Sequence, residues 1–284
     1  MKNIGVFAKV HDPRCKQVAG DLVRWLNDKG LSPLVEEQLS QSLGRKDGVG
    51  RFEIPNSADL VVVLGGDGTL ISVARLLVGR DVPIIGVNLG SLGFLTEITI
   101  SEMFPLLENC LYGQYQVSER IMLLANIYRN EEKIAAYNVL NDVVINKGAL
   151  ARIIELDTLI DGNHLTKFRA DGLIISSPTG STGYSLAAQG PVVHPSLDCL
   201  VITPICPHTL TNRPIVVSGN SLLCVTLKSK EGDVFLTLDG QIKVELKSGD
   251  VICIEKSTHR TKLVMSGSKD YFEVLRTKLK WNER

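Results

Sequence analysis

Five apolar residues, Leu60-Val61-Val62-Val63-Leu64, run straight into Gly65-Gly66-Asp67-Gly68-Thr69, and a helical pattern comes next. A short run rich in β-branched residues suits a strand buried on both faces of a parallel sheet. The sequence therefore predicts a strand, a tight glycine turn and a helix. In open α/β sheets ligands bind at the carboxyl ends of the strands, which is where Asp67 falls. Three glycines let backbone N–H groups approach an anion closely. A carboxylate held among them can take a proton from a hydroxyl beside a phosphate, so the pattern points to phosphoryl transfer. Gly and Asp also suit an ordinary turn, and the chain has neither G-x-G-x-x-G nor G-x-x-x-x-G-K-[ST].

The first ~110 residues alternate strand and helix signals, as βα units around a parallel sheet do. Residues 3–9 read as a strand and 14–28 as a helix whose buried face is Val18, Leu22, Trp25 and Leu26, with Gly30 closing it. Residues 31–36 suggest a second strand. The polar stretch 38–57 lacks periodicity and reads as a mobile loop. A helix is expected over 69–78, with Leu70, Val73, Ala74 and Leu77 on one face. The buried strand Pro83–Val87 leads into a second glycine loop, Asn88–Phe94, and then a helix over 101–111.

Near Gly113 the grammar changes. Tyr115–Tyr128 and Ile134–Ile145 read as a hairpin across Arg129–Glu132. Strands are expected at 151–160, 171–177, 199–205, 214–218, 221–228, 233–238, 241–246 and 250–255. Turn signals such as Asp161-Gly162, Glu231-Gly232 and Asp239-Gly240 separate them. The expected architecture is an α/β domain over 1–113 with a Rossmann-like parallel sheet, then an all-β sandwich over 114–265. The tail 266–284 is expected to pack back on the first domain.

A chain of 284 residues can hold two such domains. Its 31 basic residues balance 31 acidic ones, which argues against a nucleic-acid surface or a membrane-binding patch. The apolar runs are too short to span a bilayer, and the first residues read as a strand rather than a signal peptide. The six cysteines form no C-x-x-C pair. Cys224 and Cys253 lie in alternating strand patterns, and all six are expected to be reduced and structural, as in a cytoplasmic protein. The five histidines show no metal-ligand spacing.

A second constellation spans residues 178–191, where Thr179, Ser181, Thr182 and Ser185 offer hydroxyls around Tyr184. An expected helix start there is an anion site, and Tyr184 offers a ring to stack on a base or ribose. A capped helix and loop would account for the same residues. Lys167, Arg169 and Asp171 add charge just upstream. Asn141-Asp142 interrupts an otherwise apolar strand, a costly arrangement unless both are paired.

Together these segments resemble the NAD kinases. The resemblance is carried by Gly65–Thr69, the loop Asn88–Thr96, Asn141-Asp142, the span Asp171–Pro191, Pro207-His208-Thr209-Leu210 with Arg213-Pro214, and Asp270–Trp281. Diacylglycerol kinases, sphingosine kinases and phosphofructokinases have similar glycine–aspartate turns, whereas Thr179–Tyr184 and Asn141-Asp142 in this order are more specific to NAD kinases. The resemblance implies transfer of the γ-phosphoryl of ATP to the 2′-hydroxyl of the adenosine ribose of NAD, with Mg²⁺ or another divalent cation accompanying ATP. It implies Asp67 as general base, with Gly65, Gly66, Gly68 and Thr69 holding phosphates. It implies Asn141, Asp142 and Asp171 as dinucleotide ligands, and Thr182, Gly183, Tyr184, Ser185, Leu186 and Ala187 as the lining of the adenosine pocket. Arg152, Arg169 and Gln241 match further nucleotide contacts. The commoner bacterial loop has Ala at 183, Ser at 187 and Gly at 189. A homodimer or homotetramer in the cytoplasm is implied. The competing readings are a lipid kinase of the diacylglycerol or sphingosine type and a dinucleotide-binding regulator without catalysis.

Overall fold

The computed structural model describes residues 1–10, 12–90, 92–148, 152–209, 211–229 and 232–281. Among the expected features, Ser91 of the second glycine loop, Ala151 at a strand start, Leu210, Glu231 in a turn and residues 282–284 of the tail lie outside the described residues. The chain forms two compact units, Met1–Glu119 with the chain from Thr261 onward, and Arg120–Arg260.

In the first unit, Leu60–Leu64 is a strand buried along its whole length, as its apolar run requires. Asn3–Ala8 and Ile84–Val87 flank it, and Ser32–Val35 lies beyond Asn3–Ala8; all these pairings are parallel. Leu263 adds a parallel contact beside Ile84. Parallel pairing brings the carboxyl ends at Ala8, Leu64 and Val87 to one edge. Helix Pro13–Asp28 begins where Asp12 accepts the Arg14 N–H and Pro13 presets the first turn. Helix Ile100–Leu111 begins with a reciprocal Thr99–Glu102 capping box. Leu22 and Leu26 from the first helix and Met103 and Leu107 from the second join Leu64 and Ile85 in one aliphatic core.

The stretch 38–57 is not the irregular loop its polarity suggested. It holds most of helix Glu37–Ser42, a bridge from Glu36 to Val49 and a 3-10 turn over Ile54–Asn56. Leu39 and Ile54 are fully buried and anchor it. Two isolated apolar anchors are too sparse to register as periodicity.

The second unit contains two layers that share a core. In one layer the hairpin Val117–Arg129 and Glu132–Val139 joins strands Ile154–Ile160, Asn163–Ala170, Leu223–Leu227 and Val251–Val264. The other layer runs Ile215–Ser218, Cys199–Ile205, Gly172–Ser176, Asp142–Lys147, Val234–Leu238, Ile242–Leu246, with each neighbouring pair antiparallel. Leu156, Leu223 and Val225 from the first layer meet Val143, Ile145, Leu173 and Leu236 from the second. The classes expected from sequence, α/β followed by a β-sandwich, are the classes observed.

Three local expectations need correction. The expected strand Ile134–Ile145 is two strands in different sheets, because the chain leaves the first layer at Leu140-Asn141 and enters the second at Asp142. Asn163–Ala170 is an additional strand; it lies on the edge of its sheet, where a polar sequence is tolerated. Cys224 and Cys253 form a disulfide instead of two free thiols. The antiparallel register places them directly opposite one another, with Cα atoms 4.1 Å apart. Alternation showed which way each cysteine faces, but not that their strands are neighbours. Cys15, Cys110, Cys199 and Cys206 are free.

Asp250, only 1% exposed, ties the first layer together. It accepts two hydrogen bonds from Arg129, at 2.8 and 2.7 Å, and one from the Lys247 N–H at 2.8 Å. Asp250→Ala leaves the guanidinium and an inward N–H without their acceptor. It should lower unfolding free energy by about 2–3 kcal/mol, read as an earlier urea midpoint at unchanged slope.

Candidate functional site

The glycine turn is the start of a helix. Helix Asp67–Leu76 begins two residues before the expected position, with Gly66 as its N-cap and no side-chain cap. Gly66 and Gly68 are exposed. The result is a helix N-terminus at the carboxyl edge of a parallel sheet, a favourable place for an anion. Asp67 is the first helical residue, and the second glycine loop wraps its carboxylate. Oδ1 accepts the N–H groups of Leu95 and Thr96 at 3.1 and 3.0 Å and the Thr96 hydroxyl at 2.9 Å. Oδ2 accepts the Phe94 N–H at 2.9 Å. The fit requires glycine at 93, where a Cβ would fall 2.1 Å from Asp67 Oδ1.

In the second unit a cavity of about 410 Å³ opens on the outer face of the second layer. Asn141, Asp142, Val144, Asn146, Tyr184, Thr237, Asp239 and Gly240 line it. Strand alternation explains this set: Val143 and Ile145 point into the sandwich core, so Asp142, Val144 and Asn146 face outward.

The backbone before Asp142 is held at several points. Asp239 accepts the N–H groups of Leu140, Asn141 and Asp142 at 3.1, 2.7 and 3.3 Å. Ser177 donates its N–H to the Asn141 carbonyl at 2.8 Å and its hydroxyl to the Leu140 carbonyl at 2.5 Å. Gly180 packs on Asn141, where a Cβ would fall 2.2 Å from the carbonyl oxygen. Asn141 Oδ1 is buried with no hydrogen-bond partner among the described residues. The Asp142 carboxyl is pushed up to about 7, first by burial and then by the charge of Asp239.

Family comparison covers both units. The ATP-NAD kinase N-terminal domain matches residues 4–115, and the ATP-NAD kinase C-terminal domain matches residues 140–266. The NAD kinase of Geotalea daltonii is 66% identical over the full length of both chains, and that of Geobacter sulfurreducens is 63% identical over the same span. The chain belongs to the ATP-NAD kinase family. A crystal structure of an Archaeoglobus fulgidus NAD kinase in complex with ATP superposes with TM-score 0.77 at 26% identity, covering 97% of this chain and 99% of that one. Yeast NADH kinase complexed with NADH shares the fold at TM-score 0.92 and 24% identity, covering 100% and 89%.

The ATP-NAD kinase segments divide by unit. Gly65, Gly66, Asp67, Gly68 and Thr69 form the helix start of the first. Asn141, Asp142 and Tyr184 meet at the cavity of the second, with Gly183 close by: a Cβ there would lie 3.7 Å from Asn141 Nδ2 and 3.9 Å from Asp142 Oδ2. Ala in the commoner bacterial loop would touch both. The Ser185 hydroxyl turns away from the cavity; it is buried and bonded to Thr203 Oγ1 at 2.9 Å. Thr182 turns its hydroxyl to the Thr179 carbonyl. Arg169 pairs with Glu155 at 3.3 Å and Asp171 with Lys147 at 3.0 Å. Arg152, Leu186, Ala187 and Gln241 are also absent from the cavity lining. Two residues of these sites are marked in the sequence only as parts of larger segments, Thr96 as the end of the loop Asn88–Thr96. Thr96 bonds Asp67, and Asp239 registers there only as half of a turn signal.

The folded protein holds a proton on Asp142 up to about pH 7, whereas an unfolded aspartate releases it near pH 4. Stability is therefore lost as pH rises through that window. Asp142→Asn should raise unfolding free energy by on the order of 2–4 kcal/mol at pH 8 and by almost nothing at pH 4. Equal gains at both pH values would show that the buried charge is not the cause. Gly180→Ala should push its segment off Asn141 and lower Tm by several degrees, on the scale of overpacking costs.

Proposed function

We infer that this chain is an ATP-dependent NAD kinase, transferring the γ-phosphoryl of ATP to the 2′-hydroxyl of the adenosine ribose of NAD. The observation that carries the reading is the polar cavity at Asn141 and Asp142, in a chain matched to this family in both units. Its volume of about 410 Å³ suits part of a dinucleotide. Asn141 Oδ1 awaits a donor, and an ionised Asp142 accepts from ribose hydroxyls. Tyr184, about half exposed at the rim, provides a ring for base or ribose stacking. Arg169 and Asp171 have donor and acceptor capacity beyond their single contacts with Glu155 and Lys147, and are assigned nucleotide contacts with Arg152 and Gln241.

The helix start at Gly65–Thr69 holds the triphosphate, and Asp67 receives the hydroxyl proton. Its two oxygens are unequally engaged: Oδ1 accepts three hydrogen bonds and Oδ2 one. A carboxylate oxygen has about two lone-pair directions. Oδ2 is therefore the atom that accepts from the 2′-hydroxyl. Among the described residues no cluster of three or more His, Cys, Asp or Glu forms a metal site. The divalent cation enters as the MgATP substrate, neutralising phosphate charge. The family resemblance assigns a cytoplasmic homodimer or homotetramer. No helix among the described residues is long and apolar enough to cross a membrane.

Purified protein given NAD, ATP and Mg²⁺ should form NADP. Asp67→Asn should lower kcat by roughly 10²-fold or more. It also turns an amide toward loop N–H groups, so its Tm should fall as well. Near-normal turnover by a folded variant would remove Asp67 from the chemistry.

A further inference from the structure

We propose that Asp239 is a positioning residue for the dinucleotide pocket and makes its affinity depend on pH through Asp142. This rests on the reading of the cavity as the NAD site. Asp239, 7% exposed, is joined to the Asn141-Asp142 segment from both directions. Its carboxylate accepts the three consecutive N–H groups of residues 140–142, while its own N–H donates to the Asp142 carbonyl at 2.9 Å. The backbone that presents Asn141 and Asp142 is thus referenced to one side chain on a neighbouring hairpin.

That hairpin turn demands an unusual backbone. Asp239 and Gly240 have φ of 51° and 65°, and the Gln241 N–H closes on the Leu238 carbonyl at 3.0 Å. Positive φ at the first turn position suits only a few side chains, of which Asp and Asn are the usual non-glycine choices. Asp239→Asn therefore keeps the turn while removing the charge.

The electrostatic consequence depends on what faces Asp142. Strands Gly172–Ser176 and Val234–Leu238 flank it and contribute no titratable side chain. From the Thr179–Ala187 segment, Tyr184 is the one titratable group lining the cavity. Among the described residues of the lining, Asp239 is the remaining acid and there is no Lys, Arg or His. Its negative charge adds to burial in holding Asp142 protonated up to about pH 7. A protonated carboxyl loses acceptor capacity toward ribose hydroxyls. NAD affinity should consequently rise with pH through neutrality. The apparent Kd scales inversely with the ionised fraction.

The test is calorimetric NAD binding from pH 6 to pH 8 for the wild type, Asp239→Asn and Asp142→Asn. A companion ¹³C NMR titration tracks the Asp142 carboxyl in ligand-free enzyme. Wild-type Kd should tighten about tenfold between pH 6 and 8, and that ratio should shrink to about threefold in Asp239→Asn as the midpoint moves to lower pH. Loss of the N–H anchor should also weaken Asp239→Asn binding at pH 8. Asp142→Asn should bind weakly with no pH dependence. A purely structural role for Asp239 would shift Kd equally at every pH and leave the carboxyl midpoint in place; that result overturns the proposal. A wild type that binds no NAD overturns the site reading itself. The ligand-free titration separates that failure from a failure of the coupling.

Discussion

Consecutive backbone N–H groups turned onto one carboxylate organise the chemistry-bearing loop of each unit. Asp67 gathers Phe94, Leu95 and Thr96. Asp239 gathers Leu140, Asn141 and Asp142. Both loops lie where a strand ends and its ladder no longer supplies partners. Buried N–H groups left unpaired there would cost free energy comparable to lost hydrogen bonds. One acid meets several of these demands at once, and charge-assisted bonds are the stronger kind. The loops are thereby fixed through their backbone as well as by the buried side chains of Leu95 and Leu140.

The glycines obey the same constraint. Gly93 lets its loop close on Asp67, and Gly180 lets the Thr179–Thr182 turn rest on the Asn141 carbonyl. In both places a methyl would meet an oxygen at little more than 2 Å. These are close-approach positions; neither glycine has positive φ. Asp239 is the opposite case, a non-glycine residue in the left-handed region whose side chain is needed there.

Much of this was legible in the sequence because it is local. The run Leu60–Leu64 specified a buried parallel strand, and Gly65–Thr69 specified the turn into its helix. Asn141-Asp142 stood out because two polar residues broke an apolar alternation. Pairing across distance was not legible. The Asp239–Asn141 bond spans 98 residues, and the strand pairing that joins Cys224 to Cys253 spans 29. Nothing within either segment encodes its partner. The strand change at Leu140-Asn141 was hidden for a related reason: both halves alternate, and a period of two does not name a sheet. The inward turn of Ser185 was hidden too, because a hydroxyl in a polar loop gives no sign of its direction, and Thr203, its partner, lies in another strand.

An acid that is both structural anchor and proton acceptor carries a built-in conflict, and Asp67 shows how geometry eases it. Bonds to N–H groups each occupy a lone pair that the reacting hydroxyl could otherwise use. Their distribution limits the loss. Three donors crowd Oδ1 and one reaches Oδ2, so one oxygen holds the loop while the other keeps capacity for the hydroxyl. Fixing the carboxylate also removes the rotamer freedom that would otherwise have to be lost on reaching the transition state. A carboxylate held in one orientation then contributes through alignment, while charge neutralisation on the phosphates carries more of the barrier.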